Sequence, residues 1–106
     1  MNRAMIRLPA EIRFGDVIEI TAMASHPMET GYRTGEDGRI VPRHILSELR
    51  CEFEGQVIFR MSLFPAITAN PWVAFPMRVE RAGMLSFVWT DDRGQVFREQ
   101  LALTPR

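Results

Sequence analysis

The sequence predicts an all-β chain: an immunoglobulin-like antiparallel β-sandwich of about seven strands. Three observations lead there. Apolar residues recur at every second position through most of the chain, the spacing of a strand with one buried face. Turns rich in Gly, Pro and Asp interrupt that alternation at short intervals. No stretch sustains the period of an amphipathic helix. With 106 residues, the chain is expected to form a single domain, residues 1–106, with one modest core.

Each element has its own justification. Residues 3–8 alternate, with Ala4, Ile6 and Leu8 on one face. Gly15-Asp16 turns the chain into 17–25, where Ile18, Ile20 and Ala22 share a face. The stretch 44–53, HILSELRCEF, alternates most cleanly. Ile45, Ser47, Leu49, Cys51 and Phe53 are expected inward, and Leu46, Glu48, Arg50 and Glu52 outward. Glu54-Gly55 leads to 56–63, with Val57, Phe59, Met61 and Leu63 expected inward. A second loop, 64–71, follows. Residues 72–80 put Val73, Phe75, Met77 and Val79 on one side. Pro76 has no N–H for a ladder, so this strand is expected at an edge or at a bulge. Ala82-Gly83 turns into 84–90, with Leu85, Phe87 and Trp89 inward. Thr90 to Gly94 reads as a hairpin loop with Gly94 free to take a positive φ, and the last strand covers about 95–103.

The connection from Ser25 to Arg43, SHPMETGYRTGEDGRIVPR, is too long for a tight turn. Structureless loops beyond roughly 12–15 residues are uncommon and usually functional or disordered. This one holds the only tyrosine, Tyr32, with His26, three arginines (Arg33, Arg39, Arg43) and three acids (Glu29, Glu36, Asp37). Met28, Tyr32, Ile40 and Val41 are expected to pack. The plainer reading is a solvated loop pinned by a few apolar contacts.

Thirteen basic residues balance thirteen acids, so the basic field that nucleic acid or an anionic membrane surface requires is absent. All the basic side chains are arginine. Arginine suits interfaces through its forked hydrogen bonds, but codon usage in a GC-rich genome is the better explanation. No run approaches the ~18 apolar residues of a membrane span. The opening residues lack an apolar h-region, so no signal peptide is expected in this chain. One cysteine, Cys51, cannot form an intrachain disulfide.

Catalytic and metal chemistry find little support. A blue-copper centre needs Cys, a second His and Met close together after the Cys. Here Cys51 is followed by Glu52-Phe53-Glu54-Gly55. An iron site of superoxide-reductase type needs more histidines than His26 and His44. Cys51 alternates with Leu49 and Phe53 on an apolar face and is expected to be a core thiol. His44 and Ser47 form no recognisable triad, and paired carboxylates, phosphate loops and zinc spacings are missing. His26, beside Pro27, is expected to fix a turn. No catalytic residue, cofactor or metal ligand is therefore expected, and binding remains. Apolar residues in the outward phase are Trp72, Ala74, Pro76, Met84, Val88, Ile58 and Phe64, and exposed together they would mark an interaction surface.

Several stretches resemble one family across essentially the whole chain. HPMETGYR at 26–33, IVPR at 40–43 and LFPAITANP at 63–71 look like SoxZ, as do RLPAEIRFGDVIEI at 7–20 and FVWTDDRG at 87–94. SoxZ is the small subunit of the SoxYZ carrier of bacterial thiosulfate oxidation. The resemblance implies a non-catalytic subunit that pairs with SoxY as a heterodimer and transiently meets other Sox enzymes. In that family the sulfur intermediate hangs from a cysteine in a Gly-Gly-Cys-Gly-Gly tail of SoxY, which this chain lacks. It further implies the periplasm, by export together with SoxY. The loops 26–43 and 64–71 and the outward apolar residues of 72–88 are the candidate contacts. They include His26, Met28, Tyr32, Arg33, Phe64, Asn70, Trp72 and Pro76. Instability or self-association is expected when SoxY is absent, with no binding to nucleic acid or membrane. Two rivals remain: a sulfur carrier or redox protein using its own Cys51, and a stand-alone immunoglobulin-like binding module.

Overall fold

The computed structural model describes residues 3–64 and 69–106, so part of the second loop, residues 65–68, lies outside the described residues. Seven strands are present: β1 (Arg3–Arg7), β2 (Val17–Ser25), β3 (Leu46–Phe53), β4 (Gln56–Ser62), β5 (Trp72–Arg78), β6 (Gly83–Asp91) and β7 (Val96–Leu103). They form a three-stranded sheet, β1-β2-β5, and a four-stranded sheet, β4-β3-β6-β7, antiparallel throughout. No helix occurs among the described residues. This is the expected immunoglobulin-like sandwich.

The inward phases meet in one core. Ile18, Ile20, Ala22, Ala24, Val73 and Phe75 from the three-stranded sheet are buried with Leu49, Cys51, Phe53, Leu85, Phe87 and Trp89 from the other. Phe59 of β4 stacks flat on Phe75 of β5, with centroids 4.3 Å apart and planes at 2°, and joins the two sheets along that flank. β5 is an edge strand, as Pro76 requires, with Pro76 opposite Glu19.

Two bulges displace residues from the simple alternation. Between Cys51 and Glu52 the β3–β4 register slips, so that Cys51 faces Phe59 while Glu52 faces Val57. Ile58 is the extra residue, and Val57, expected inward, swings out to 48% exposure. A second slip between Leu46 and Glu48 lets Ile45 and Leu46 both be buried. Leu46 is thus inside rather than outside, and Ser47 is half-buried with its hydroxyl donating to the Thr90 carbonyl at 3.1 Å. Val88 does sit in the outward phase but is only 2% exposed. It lies between Arg50 and Arg98 on the flanking strands, whose long stems can cover it.

The long connection is a paired arm. Glu29 and His44 exchange two backbone hydrogen bonds of 2.8 Å at its base. Val41 N–H donates to the Arg33 carbonyl at 2.8 Å, and Gly35 N–H to that of Arg39 at 2.7 Å. Gly38, with φ at 78°, closes the tip. Met28 is buried and Val41 half-buried, as expected, but Tyr32 and Ile40 are 88% and 64% exposed. A two-stranded ribbon without a sheet behind it has no apolar face in which to bury them.

Candidate functional site

The candidate contact residues fall into four groups. At the base of the arm, His26 and Asn70 are locked together: His26 N–H donates to Asn70 Oδ1 at 3.0 Å, and Asn70 N–H to the His26 carbonyl at 2.7 Å. His26 is buried, and its Nδ1 accepts the Met28 N–H at 2.9 Å. That bond fixes the turn through Pro27 and supports Met28 at its positive φ of 53°. Met28 is itself buried, with its Sδ accepting the Leu46 N–H at 3.2 Å. His26 and Met28 therefore shape the arm from beneath and offer no surface.

Sequence reasoning missed the cluster that completes this base. His44 Nε2 lies 3.0 Å from Asp91 Oδ2, and the other Asp91 oxygen accepts the Arg93 and Gln95 N–H groups at 2.9 and 2.8 Å. Burial opposes the Asp91 charge, yet the hydrogen bonds from His44, Gln95 and Arg93 outweigh it and hold the carboxyl below its ordinary value. The His26 ring meets that of His44 edge to face, centroids 4.7 Å apart. Burial and then the neighbouring His44 push His26 below its ordinary value, against the pull of Asp91 and Asp92. With Nδ1 accepting, the His26 proton sits on Nε2, which has no partner among the described residues.

The second group is on the arm. Arg33 forks onto Glu29, with bonds of 2.7 to 3.2 Å, while Tyr32 stands free in solvent. The third is the outer face of β1-β2-β5, where Trp72 and Pro76 are exposed. The register sets Met5, Met23 and Trp72 side by side across the three strands. Met5 and Met23 are apolar residues in the outward phase of their strands, between Ala4 and Ile6 and between Ala22 and Ala24, and only the strand order sets them beside Trp72. The fourth is Phe64, exposed just after β4. The loops bring His26 and Asn70 together, while Phe64, Tyr32 and Trp72 are exposed.

The donors do not assemble a metal centre. Among the described residues no group of three or more His, Cys, Asp or Glu side chains is placed to hold an ion. His26 Nδ1 is engaged by Met28, His44 Nε2 by Asp91, and Cys51 is sealed in the core. Burial, and then Glu52, push the Cys51 thiol up to about 12. It stays protonated at neutral pH and buried, the setting of a structural thiol rather than of a nucleophile.

Comparison with solved structures finds the same fold in proteins of different activity. A superoxide reductase (neelaredoxin) from Ignicoccus hospitalis matches at TM-score 0.73 and 14% identity, over 97% of this chain and 80% of that one. The sulfur carrier protein SoxY from Chlorobium limicola f thiosulfatophilum matches at TM-score 0.69 and 15% identity, over 97% and 79%. At such identities the likeness is one of fold alone. No curated protein sequence matches the chain at a significant level. The model of the family described as sulphur oxidation protein SoxZ, however, matches residues 6–102.

The chain belongs to the SoxZ family.

Membership gives it a role in Sox sulfur oxidation. The four-stranded face carries a cluster of ion pairs on β3 and β4, with Arg50 2.7 Å from Glu52 and 3.8 Å from Glu48, and Arg60 3.9 Å from Glu48. The three-stranded face carries the Met–Met–Trp row instead.

Proposed function

We propose that this SoxZ-family chain is the non-catalytic subunit of the SoxYZ carrier, a heterodimer in which SoxY bears the sulfur intermediate on its own C-terminal cysteine. The observation that carries the reading is the burial of Cys51. A carrier thiol must reach several enzymes in turn, which calls for small, flexible residues around it. Cys51 is fully buried in mid-strand between β4 and β6, so cargo must ride on a companion. This subunit then supports SoxY and supplies part of the surface met by visiting Sox enzymes. Its compartment is the periplasm, reached by export with SoxY.

The test is co-expression with SoxY, size-exclusion chromatography, and intact-mass spectrometry after exposure to thiosulfate and the oxidising cytochrome. The expected result is one co-eluting complex with the sulfur adduct on SoxY. An adduct on Cys51, or elution of the two chains apart, overturns the reading.

A further inference from the structure

We propose that SoxY docks on the outer face of β1-β2-β5, with the row Met5–Met23–Trp72 as the centre of the contact. This rests on the reading that the chain pairs with SoxY, and adds where and by what chemistry. The register places Met5 opposite Met23, and Met23 opposite Trp72. The row therefore crosses all strands of the sheet without a polar interruption. Met5 and Trp72 are 60% and 65% exposed. With Ile6, Arg7 and Thr21 they line a shallow groove of about 260 Å³, large enough to admit an apolar side chain. Trp, Met and Arg are the residue types enriched at the centre of protein interfaces, and methionine adapts its shape to a partner.

The other faces argue against themselves. On the outer face of the four-stranded sheet Arg50, Glu48, Glu52 and Arg60 pair with one another, and the exposed apolar residues Val57, Met84 and Val96 lie apart on β4, β6 and β7 rather than in one cross-strand row. Docking there would strip water from paired charges for little gain. On the three-stranded face Arg7 lies two residues along β1 from Met5, Arg78 stands at the far end of β5 opposite Val17, and Glu19 is the only outward acid on β2. None of the three has an ion-pair partner among the described residues. The matching surface is thus a flat apolar patch flanked by carboxylates. A SoxY has the same sandwich fold over 97% of this chain. Such a partner presents sheet faces, and two twisted sheets pack aligned with interdigitating side chains. The occupant is therefore an outer sheet face of SoxY, with one apolar side chain in the groove and carboxylates toward Arg7 and Arg78.

The experiment measures capture of SoxY by the full chain and by four variants. Trp72→Asp and Met5→Glu alter the row, and Arg7→Glu reverses its flanking charge. Met84→Asp alters an exposed apolar residue on the opposite face, 40% exposed. The side chains changed on the row are solvent-exposed, and circular dichroism verifies folding of each variant. Trp72→Asp and Met5→Glu are expected to weaken capture at least about 30-fold, the scale of an interface hot spot. Arg7→Glu is expected to weaken it less and to make the residual binding less salt-sensitive, and Met84→Asp to leave it unchanged. A photo-cross-linking amino acid at position 5 provides a second readout and is expected to yield the SoxY adduct. Undiminished capture by the row variants with no adduct at position 5 overturns the docking face while leaving the partnership intact. Failure of the unaltered chain to capture SoxY overturns the partnership and the face with it.

Discussion

His44 and Asp91 are 47 positions apart in the chain and 3.0 Å apart in space, and their bond ties the base of the arm to the turn between β6 and β7. His44 is also one half of the backbone pair with Glu29 that closes the arm. Arg43 adds a second link, its Nε 3.3 Å from Asp92 Oδ2. The arm is thus anchored through two adjacent residues to two adjacent acids of one turn.

Asp91→Ala is expected to be among the more damaging polar substitutions. It strands the Arg93 and Gln95 N–H groups and the His44 ring together. The bonds lost are part-buried, and a buried group left unpaired costs about 1–3 kcal/mol, so a total loss of roughly 2–3 kcal/mol in urea unfolding is expected. Amide exchange at Glu29 and His44 should quicken as the arm loosens. A loss below ~1 kcal/mol, with exchange unchanged, would show that the pair does not anchor the arm.

Acidification should destabilise the fold in two steps, because both shifted groups of this cluster move downward. His26 is held neutral in the folded chain below its ordinary value of 6.5. As pH falls below that value the unfolded chain takes up the proton first, so stability declines until the lower folded value is reached. Above it His26 is neutral in both states and contributes nothing. Asp91 behaves likewise from its ordinary 3.8 downward: its stabilisation is present above that value and lost toward the lower folded one. Each group contributes a slope of at most about 1.4 kcal/mol per pH unit. Urea unfolding across the acid range is the measurement, and His26→Gln is expected to flatten the upper step only.

Much of the sandwich was readable from alternation, and the departures have physical causes. Alternation places Ile18, Ile20, Val73, Phe75, Leu85, Phe87 and Trp89 correctly because no extra residue interrupts their own strands. Val57 and Leu46 were misplaced because each adjoins a bulge, and an inserted residue leaves no mark in a short sequence beyond a broken phase. Tyr32 and Ile40 were expected to pack because they are apolar; pairing within the arm leaves them no core to enter. His26 was read correctly as a turn-fixing residue from Pro27 beside it. The His44–Asp91 bond had no local signal at all, since it forms only when the start of β3 and the end of β6 are brought together by their register. The Met–Met–Trp row was half legible: Trp72 by its outward phase, Met5 and Met23 only once strand order sets them side by side.

Cys51 should resist modification until the chain unfolds. An aromatic disulfide reagent in excess is expected to leave the native thiol unlabelled over hours and to label it at once in denaturant. Under native conditions the slow rate should track opening of the central strands. Cys51→Ser places a hydroxyl where no partner is on hand and is expected to cost about 1–3 kcal/mol, while capture of SoxY by the folded fraction persists. Rapid native labelling would contradict the burial on which the functional reading depends.

Gly83 opens β6 where another residue would not fit. A Cβ there would lie 2.6 Å from Phe53 Cζ and 2.7 Å from Glu54 Cγ. The glutamate can swing away, but the Phe53 ring is in the core, with the Arg81 guanidinium 5.3 Å from its centroid. Gly83→Ala must therefore shift the ring, and overpacking of this kind costs about 1–3 kcal/mol. The cause is separable from any backbone effect. Phe53→Leu removes the atoms that collide, so the double variant Gly83→Ala/Phe53→Leu should lose less than the sum of the two single losses. A coupling of about 1 kcal/mol or more in a double-mutant cycle is expected for residues in contact. Strict additivity would place the cost in the strand itself and not in the collision with Phe53.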